Sequence, residues 1–318
     1  MTAQPAAAIS VRGLRKSYGS QVVLDGIDLD VPEGTVFALL GPNGAGKTTA
    51  IHILSTLIAA DAGEVRVGGF DAIREPDAVR RVIGLTGQVS AVDGQFTGEE
   101  NLRLMADLHH LGREGGRLRV AELLERFDLV DAARKPAMTW SGGMRRRLDL
   151  AMTLVGEPRI IFLDEPTTGL DPRSRRVMWD IVRDLVARGV TILLTTQYLE
   201  EADRLATGIA LLDGGRIVAN GTPAELKRLV PGGSVRLEFA DVTALDRADR
   251  ALVGGSRDDQ GLALELPGSD GIHSLRGLLD RLDAAEIEVE GLSIRSADLD
   301  DVFLSLTGRR DGPEVPTP

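Results

Sequence analysis

The segment Gly41-Pro-Asn-Gly-Ala-Gly-Lys-Thr-Thr49 separates a short apolar run at 35–40 from a stretch rich in isoleucine and leucine. It fits the pattern Gly-x-x-x-x-Gly-Lys-Thr, in which glycines let backbone N–H groups converge on phosphate oxygens where a helix begins. A glycine turn before a helix is the plainer interpretation. Every fixed position is filled, however, and both flanks fit, so the segment predicts a nucleotide phosphate site after a buried strand.

Two side chains of this segment have specific predicted roles. Lys47 reaches the terminal phosphates, and the Thr48 hydroxyl ligates magnesium. ATP is the favoured nucleotide, because the sequence has no Asn-Lys-x-Asp segment of the guanine-reading type. ATP and Mg²⁺ are therefore the predicted cofactors, and the other predicted phosphate-binding residues are Gly41, Pro42, Asn43, Gly44, Ala45, Gly46 and Thr49.

A second apolar run, Arg159-Ile-Ile-Phe-Leu-Asp-Glu-Pro166, ends in two adjacent carboxylates. Because side chains alternate along a strand, Asp164 and Glu165 are expected to point in different directions. This predicts that Asp164 holds the magnesium shell and that Glu165 polarises the attacking water. Alone, such an ending is more often the entry to a loop; together with the phosphate segment it indicates nucleotide hydrolysis.

The first part of the chain alternates short β-branched runs with helical periods, which predicts an α/β fold with crossover helices. The apolar interiors of the predicted strands are typical of burial on both faces. The predicted strands are 35–40, 82–86, 159–163 and 191–196, with a helical block at about 99–155, an amphipathic helix at 173–188 and a hairpin at 209–219.

A new series of short predicted strands and helices begins after Pro231-Gly-Gly233. At 318 residues the chain exceeds the roughly 250 to 300 residues at which single cores stop growing, so two domains are expected. The first predicted domain, 1–231, binds nucleotide and has a helical subdomain at about 89–155. The second, 232–308, is a small α/β domain for which a ferredoxin-like fold is one candidate. Its predicted strands are 235–239, 262–266 and 287–294, its helices are 244–252, 272–282 and 299–306, and a disordered tail is expected at 309–318.

Charge and composition exclude several functions. A formal charge of −11 argues against bulk nucleic acid as a partner, because that binding requires Lys and Arg to neutralise phosphates. A local basic patch at Arg145 to Arg147 remains open, but a solvated helix face is the simpler interpretation of this run. The sequence has no cysteine, so any metal is expected to be a hard cation. Neither a span of roughly 20 apolar residues nor a signal peptide is found, so a cytoplasmic location is expected.

Further motifs surround the paired carboxylates: Trp140-Ser-Gly-Gly-Met-Arg-Arg-Arg-Leu148 before them and Thr168-Gly-Leu-Asp-Pro172 after them. Taken singly these are weak signals, but in this order with the phosphate segment they resemble an ABC-type ATPase. The resemblance identifies Ser141, Gly142 and Gly143 with the family signature, and Gly169 to Pro172, which includes Asp171, with its D-loop. It identifies Gln88 with the magnesium-contacting Q-loop glutamine and Tyr18 with the adenine-stacking aromatic residue.

The resemblance implies a head-to-tail homodimer, in which each ATP lies between one chain's phosphate segment and the partner's Ser141 to Gly143. The segments 141–149, 193–203 and 299–308 are most similar to the ATPase subunits of daunorubicin/doxorubicin-type drug exporters. Those subunits work with a separately encoded membrane permease. The resemblance therefore implies ATP-driven drug export by a peripheral protein on the cytoplasmic face of the membrane.

Three positions depart from the family pattern. Gln197 stands where most ABC ATPases carry a histidine, and the histidines at 52, 109, 110 and 273 lie elsewhere in the sequence. A neutral amide is expected to bind the γ-phosphate more weakly than a charge-assisted donor. With Lys47 and Glu165, Gln197 completes the predicted catalytic set. Met144 and Trp140 replace the usual glutamine and leucine of the signature and are expected to alter packing.

Two other functions remain open from the sequence. A soluble ABC ATPase of DNA repair or translation would be expected to show a coiled-coil insertion, a second cassette or a basic linker, and none is visible. An ATP-sensing regulatory module is suggested by the missing histidine but is disfavoured by the presence of Glu165. The apolar residues of 299–306 form a helical stripe that either regulates a dimer or only packs within its own domain.

Overall fold

The computed structural model describes residues 7–230, 233–252, 254–267, 272–295 and 298–308. Contacts divide the chain into two compact units, Met1–Pro223 and Ala224–Pro318. The domain limits proposed from the sequence remain a prediction, and the tail expected at 309–318 lies outside the described residues. None of the helices within the described ranges combines the length and apolarity that crossing a membrane requires.

The first unit contains ten strands and seven helices within its described residues. A further short helix, α8 (Pro223–Lys227), follows them, and short 3₁₀ turns lie at Val130–Ala132 and Ala137–Thr139. In chain order the elements are β1 (Ala7–Tyr18), β2 (Gln21–Pro32), β3 (Val36–Leu40), α1 (Lys47–Leu54), β4 (Ala62–Val67), β5 (Phe70–Asp71), α2 (Pro76–Val82), β6 (Ile83–Thr86), α3 (Gly98–Leu108), α4 (Gly112–Arg126), α5 (Gly142–Thr153), β7 (Ile160–Asp164), α6 (Pro172–Ala187), β8 (Thr191–Thr196), α7 (Leu199–Leu205), β9 (Gly208–Asp213) and β10 (Arg216–Gly221).

The central sheet has the order β10-β9-β3-β8-β7-β6. Strands β9, β3, β8, β7 and β6 run parallel, whereas β10 pairs antiparallel with β9. Every residue of β3, β7 and β8 is buried, as their apolar sequences predict. The four predicted strands and the hairpin are confirmed, with ends shifted by at most one residue in the strands. Because parallel strands end at one edge, the sheet gathers the residues that follow β3, β8, β7 and β6.

A second sheet, with the order β2-β1-β4-β5, is antiparallel and was not predicted. The buried residues of β1 include Ile9, Val11 and Leu14, which a regular strand would not place on one face. Register shifts in the pairing of β1 with β2, one of them between Val11 and Leu14, account for this spacing. These irregularities hide the two-residue period by which a strand is recognised in a sequence.

The helical subdomain contains α3, α4 and α5. Helix α3 begins with a capping box, in which the Thr97 hydroxyl accepts from the Glu100 N–H and the Glu100 carboxylate accepts from the Thr97 N–H. The Trp140 ring packs over Gly98, where a Cβ atom would lie 2.3 Å from it. Trp140 is buried and its indole N–H donates to the Lys135 carbonyl at 3.2 Å. Trp140 is therefore a packing residue, and its expected effect relative to the usual leucine remains a prediction.

The second unit has the element order βαββαβ, the ferredoxin-like pattern, followed by a helix. Its antiparallel sheet has the order β12-β13-β11-β14. The strand predicted at 287–294 begins later, at Gly291, because Ile287 instead enters the core after α10 and its N–H donates to the Leu282 carbonyl. The elements are β11 (Ser234–Glu238), α9 (Val242–Ala251), β12 (Ser256–Asp258), β13 (Ala263–Pro267), α10 (Ile272–Ala284), β14 (Gly291–Arg295) and α11 (Leu299–Thr307).

The apolar stripe predicted in the last helix divides into two parts. Leu299 and Val302 are buried, whereas Leu306 is exposed. The first turn of α11 is fixed by a capping box between Asp298 and Asp301. The helix therefore packs through its first half.

Candidate nucleotide site

The phosphate segment turns sharply between β3 and α1. The Gly41 N–H donates to the Thr196 carbonyl at 3.2 Å, which joins the segment to the end of β8. A Cβ atom on Gly41 would lie 2.2 Å from the Leu212 carbonyl oxygen. Gly46 has φ of 106°, and a Cβ atom there would meet the Leu24 side chain at 2.7 Å. Both positions require glycine, so the backbone of the segment is fixed by its neighbours.

The other residues of the segment form its tip and the first turn of α1. Asn43 and Gly44 are exposed, whereas Ala45 is buried. The tip is thus open to solvent. The remaining positions, Pro42, Thr48 and Thr49, are half-buried.

Lys47, the first residue of α1, is buried with its ammonium group inside the segment. Its Nζ donates to the carbonyl oxygens of Gly41 at 2.8 Å and Pro42 at 3.1 Å. It also lies 3.5 Å from Oε1 of Glu165. Burial lowers the pKa of Lys47, and the charge of Glu165 opposes that shift. The predicted phosphate-binding lysine and the predicted water-polarising carboxylate are thus in contact.

Asp164 and Glu165 have different partners, as expected, but the cause is not strand alternation alone. Asp164 ends β7, and its Oδ1 accepts from the Thr195 hydroxyl at 2.5 Å. Glu165 has φ of 48°, so the backbone leaves the strand at this residue. Its Oε2 accepts from the Thr168 hydroxyl at 3.2 Å. A left-handed residue therefore turns Glu165 towards Lys47 while Asp164 stays against β8.

Gln197 follows the last residue of β8 and is half-buried. The preceding residue, Thr196, accepts from the Gly41 N–H through its carbonyl, and its hydroxyl accepts from the Tyr198 N–H at 2.9 Å. Gln197 therefore lies where the end of β8 meets the phosphate segment. Its action on the γ-phosphate remains a prediction.

Two further predicted nucleotide contacts are exposed. Tyr18 ends β1 with 52% of its surface accessible, and the Lys16 ammonium lies 5.5 Å from the centre of its ring. Gln88 is exposed two residues after β6, which is the neighbour of β7 in the sheet. Both side chains are accessible to a ligand.

The signature residues lie at the start of α5. The Ser141 hydroxyl caps this helix by accepting from the Met144 N–H at 3.2 Å. A Cβ atom on Gly142 would meet open space, whereas one on Gly143 would lie 2.4 Å from the Ser174 hydroxyl of α6. Asp171 caps α6 by accepting from the Ser174 N–H at 2.9 Å. The starts of α5 and α6 therefore pack closely and line a cavity of about 420 Å³.

The structure thus brings several of the predicted site residues together in two groups. Lys47, Asp164 and Glu165 lie with the phosphate segment at the carboxyl edge of the central sheet. Ser141 and Asp171 cap adjacent helices and form the second group. Completion of one group by the other from a partner chain remains a prediction.

The interpretation of Arg145 to Arg147 as a solvated face is wrong for Arg146. Arg145 is exposed, but Arg146 is buried, and Arg147 is half-buried and donates to the Phe127 carbonyl at 2.7 Å. Arg146 pairs with the buried Asp149 at 3.2 Å, three residues further along α5. The signal in the sequence was Asp149, which lies between the apolar Leu148 and Leu150 and three residues after Arg146.

Sequence reasoning also missed Thr195 and Glu201. Thr195 donates to Asp164, and its hydroxyl accepts from the Glu165 N–H at 3.1 Å. Glu201, in α7, is fully buried, and its Oε1 accepts from Thr167 at 2.9 Å and from the Trp179 indole at 3.1 Å. Burial raises the pKa of Glu201. No sequence signal distinguished this glutamate from the neighbouring, exposed Glu200.

Known proteins resemble this chain in sequence and in fold. The family model described as ABC transporter matches residues 24–168. The chain is 50% identical over 303 residues to the daunorubicin resistance ATP-binding protein DrrA3 of Streptomyces coeruleorubidus, covering 95% of this chain and 96% of that protein. It is 38% identical over 313 residues to the Nod factor export ATP-binding protein I of Ralstonia nicotianae, covering 95% and 94%.

Solved structures share the fold over about two thirds of the chain. The chain resembles the ATP-binding subunit of an ABC transporter with a TM-score of 0.63 and 29% identity, covering 70% of this chain and 92% of that one. A dimeric, post-hydrolysis ATP-binding cassette bound to ADP and phosphate gives a TM-score of 0.62 at 25% identity, covering 67% and 98%. The chain belongs to the ABC transporter family, as an ATPase related to the daunorubicin and doxorubicin resistance ATP-binding proteins.

Proposed function

We propose that this chain hydrolyses ATP to drive a separately encoded permease that exports antibiotic-like drugs. The observation that carries the proposal is the 50% identity to a daunorubicin resistance ATP-binding protein across 95% of the chain. The phosphate segment, the paired carboxylates and the signature helix are all present in that matched length. We propose a location on the cytoplasmic face of the membrane, bound to the permease.

In the proposed mechanism, ATP binding rearranges Lys47. Its ammonium group contacts two segment carbonyls and Glu165, and a phosphate offers it a stronger partner than either carbonyl. Transfer of Lys47 to the phosphate leaves Glu165 free to accept a proton from, or orient, the attacking water. The Thr168 hydroxyl at 3.2 Å keeps the Glu165 carboxylate in place.

The residues present suit magnesium. Thr48, Gln88 and Asp164 offer a hydroxyl, an amide and a carboxylate, and Mg²⁺ prefers such oxygen ligands while keeping waters and substrate phosphates as the rest. The described residues contain no cluster of three or more His, Cys, Asp or Glu side chains fit to hold a metal alone. Thr195 fixes the Asp164 carboxylate at 2.5 Å. Mg²⁺, when bound with ATP, would neutralise charge that develops on the phosphates.

We further propose that two copies of the chain close around two ATP molecules. The exposed N-terminus of α5, with Ser141 and Gly142, is then the second phosphate-binding surface of each site. The open space at Gly142 fits the approach of a partner's nucleotide. Such a site is complete only in the dimer, so ATP would hold the two chains together and hydrolysis would release them.

The test is ATP-dependent uptake of daunorubicin by inside-out vesicles that contain the chain together with a candidate six-span permease. Vesicles with the permease alone, and vesicles with the Glu165→Gln chain, are the controls. We expect uptake only with the unmodified chain and ATP. Equal uptake in the three preparations would refute the exporter function, and recovery of the chain with nucleic acid instead of a membrane protein would point to a nucleic-acid ATPase.

A further inference from the structure

The guanidinium of Arg146 binds two segments that follow neighbouring strands. It has five N–H donors and meets five acceptors, so no donor is left without a partner. One acceptor is Oδ2 of Asp149, at 3.2 Å. The other four are main-chain carbonyl oxygens that follow or end β6 and β7, namely those of Gly87 (2.7 Å), Asp164 (3.1 Å), Glu165 (3.3 Å) and Pro166 (2.9 Å).

Asp149 extends this contact to the far end of the same loop. Its Oδ1 accepts from the Ala91 N–H at 3.1 Å, while Oδ2 accepts from Arg146. Arg146 and Asp149 therefore hold both ends of the loop 87–91, and the exposed Gln88 lies between the two attachments. Burial raises the pKa of Asp149, and the Ala91 N–H and Arg146 oppose that shift.

Stability alone is a weak explanation for this buried pair. Removing two charges from water costs free energy, and well-packed apolar residues in the place of a buried ion pair are often neutral or stabilising. An apolar pair, however, could not bind the carbonyls of Gly87, Asp164 and Glu165. The specific property of the Arg146 side chain is that it ties the loop to the catalytic strand through a planar group.

We propose that Arg146 and Asp149 are positioning residues for ATP hydrolysis, which fix the loop 87–91 against the main chain of Asp164 and Glu165. This rests on the proposed catalytic role of Glu165. A displacement of the loop that carries Gln88 is then passed through one guanidinium to the residues beside the γ-phosphate. The pair acts through the main chain and does not touch the nucleotide.

The test compares steady turnover at saturating ATP with the dissociation constant of ATP. Arg146→Gln leaves Asp149 buried without its cation, so the double variant Arg146→Gln/Asp149→Asn is also made, in which neither residue is charged. We expect the folded double variant to turn over ATP at least tenfold more slowly, with ATP affinity within threefold of the unmodified chain. Turnover within twofold in a folded variant would overturn the proposal.

Arg146→Lys and Arg183→Gln serve as controls. Lysine keeps the charge opposite Asp149 but has three donors instead of five, so we expect it to restore stability without restoring full turnover. Arg183 forms an exposed pair with Asp180 at the same three-residue spacing, on α6. Its substitution should leave both quantities unchanged. Full turnover in Arg146→Lys would show that charge compensation alone matters and would overturn the positioning role.

A second measurement needs no substitution. In the unmodified chain without nucleotide, the Ala91 amide is bonded to Asp149 and should exchange its hydrogen with solvent at least tenfold more slowly than the amides of the exposed Val89 and Ser90. Equally fast exchange at the three positions would overturn the proposed attachment.

The Glu165→Gln variant separates the catalytic role of Glu165 from the positioning role of Arg146. If Glu165→Gln hydrolyses ATP normally, the catalytic assignment fails. If Glu165→Gln is slow but the Arg146 variants hydrolyse ATP normally, the positioning inference fails.

Discussion

Nζ of Lys47 lies 3.5 Å from Oε1 of Glu165, and both side chains are buried. Removing one charge leaves the other without its partner in a site of low solvent access, which is costly. We expect Lys47→Met to lower the free energy of unfolding by about 3 kcal/mol in the absence of ATP, the lower end for a broken buried pair. Urea denaturation measures this loss.

The double variant Lys47→Met/Glu165→Gln should recover most of that stability, because neither charge remains. Arg103→Gln is a control, since its pair with Glu99 is exposed and such pairs contribute little. A double variant as unstable as Lys47→Met would show that the lost contacts to the segment carbonyls, and not the ion pair, set the cost.

Gln197 is expected to affect turnover more than binding. Its position after Thr196, which bonds to Gly41, places it where the γ-phosphate of a bound ATP is predicted to lie. We expect Gln197→Ala to slow steady turnover about tenfold, as the loss of one neutral hydrogen bond implies, and to leave ATP affinity nearly unchanged. If Gln197→Ala turned over ATP as fast as the unmodified chain, Gln197 would have only a structural role.

Gln197→His provides the complementary test. Histidine donates a hydrogen bond and becomes charged below a pKa of about 6.5 in an unperturbed setting. We expect the variant to keep its activity and to gain a titration in the pH–turnover profile near pH 6 to 7, which the unmodified chain lacks. A profile identical to that of the unmodified chain would contradict contact with the phosphate.

Glu201 is predicted to make stability fall as pH rises. Its folded-state pKa is raised above the ordinary value of 4.5 by burial, which outweighs the hydrogen bonds that its carboxylate accepts. The folded protein thus binds this proton more tightly than the unfolded chain, so the contribution to stability is complete below pH 4.5 and is lost as pH rises through the raised pKa. Glu201→Gln removes this dependence.

The measurement is the difference in free energy of unfolding between Glu201→Gln and the unmodified chain, by urea denaturation at pH 5 and pH 8. We expect the variant to gain stability relative to the unmodified chain at the higher pH. Glu200→Gln, on the exposed face of the same helix, should show no such trend. A difference independent of pH would show that Glu201 is ionised in both states across this range.

Substitutions at two neighbouring glycines, Gly142 and Gly143, are expected to affect stability and dimerisation differently. A Cβ atom on Gly142 meets open space in the single chain, whereas one on Gly143 meets Ser174 at 2.4 Å. We expect Gly142→Ala to unfold at the same temperature as the unmodified chain but to dimerise at least tenfold more weakly with ATP, measured by light scattering in a Glu165→Gln background. Gly143→Ala should also lose stability.

Unchanged ATP-dependent dimerisation of Gly142→Ala would contradict the approach of a partner's nucleotide to the start of α5. The result does not depend on the permease. It therefore tests the dimer separately from the exporter function.

The sequence predicts the buried parallel strands and the phosphate segment well, since apolar runs and glycine requirements are local. It does not reveal the sheet that contains β1, where register shifts interrupt the alternation of Ile9, Val11 and Leu14. Contacts between segments that are distant along the chain could not be predicted from the sequence either. Arg146 looked like part of a solvated basic run, and only the fold shows that its guanidinium meets carbonyls 18 to 59 residues away.

The central claim is that Glu165 activates water for ATP hydrolysis, and steady turnover by purified Glu165→Gln tests it directly. Glutamine keeps the size of the side chain but cannot take a proton, so the loss of a general base should slow turnover about 100-fold or more. We expect that fall with ATP binding retained. If the unmodified chain and the variant bind ATP and hydrolyse it equally slowly, the chain is not the motor of an exporter.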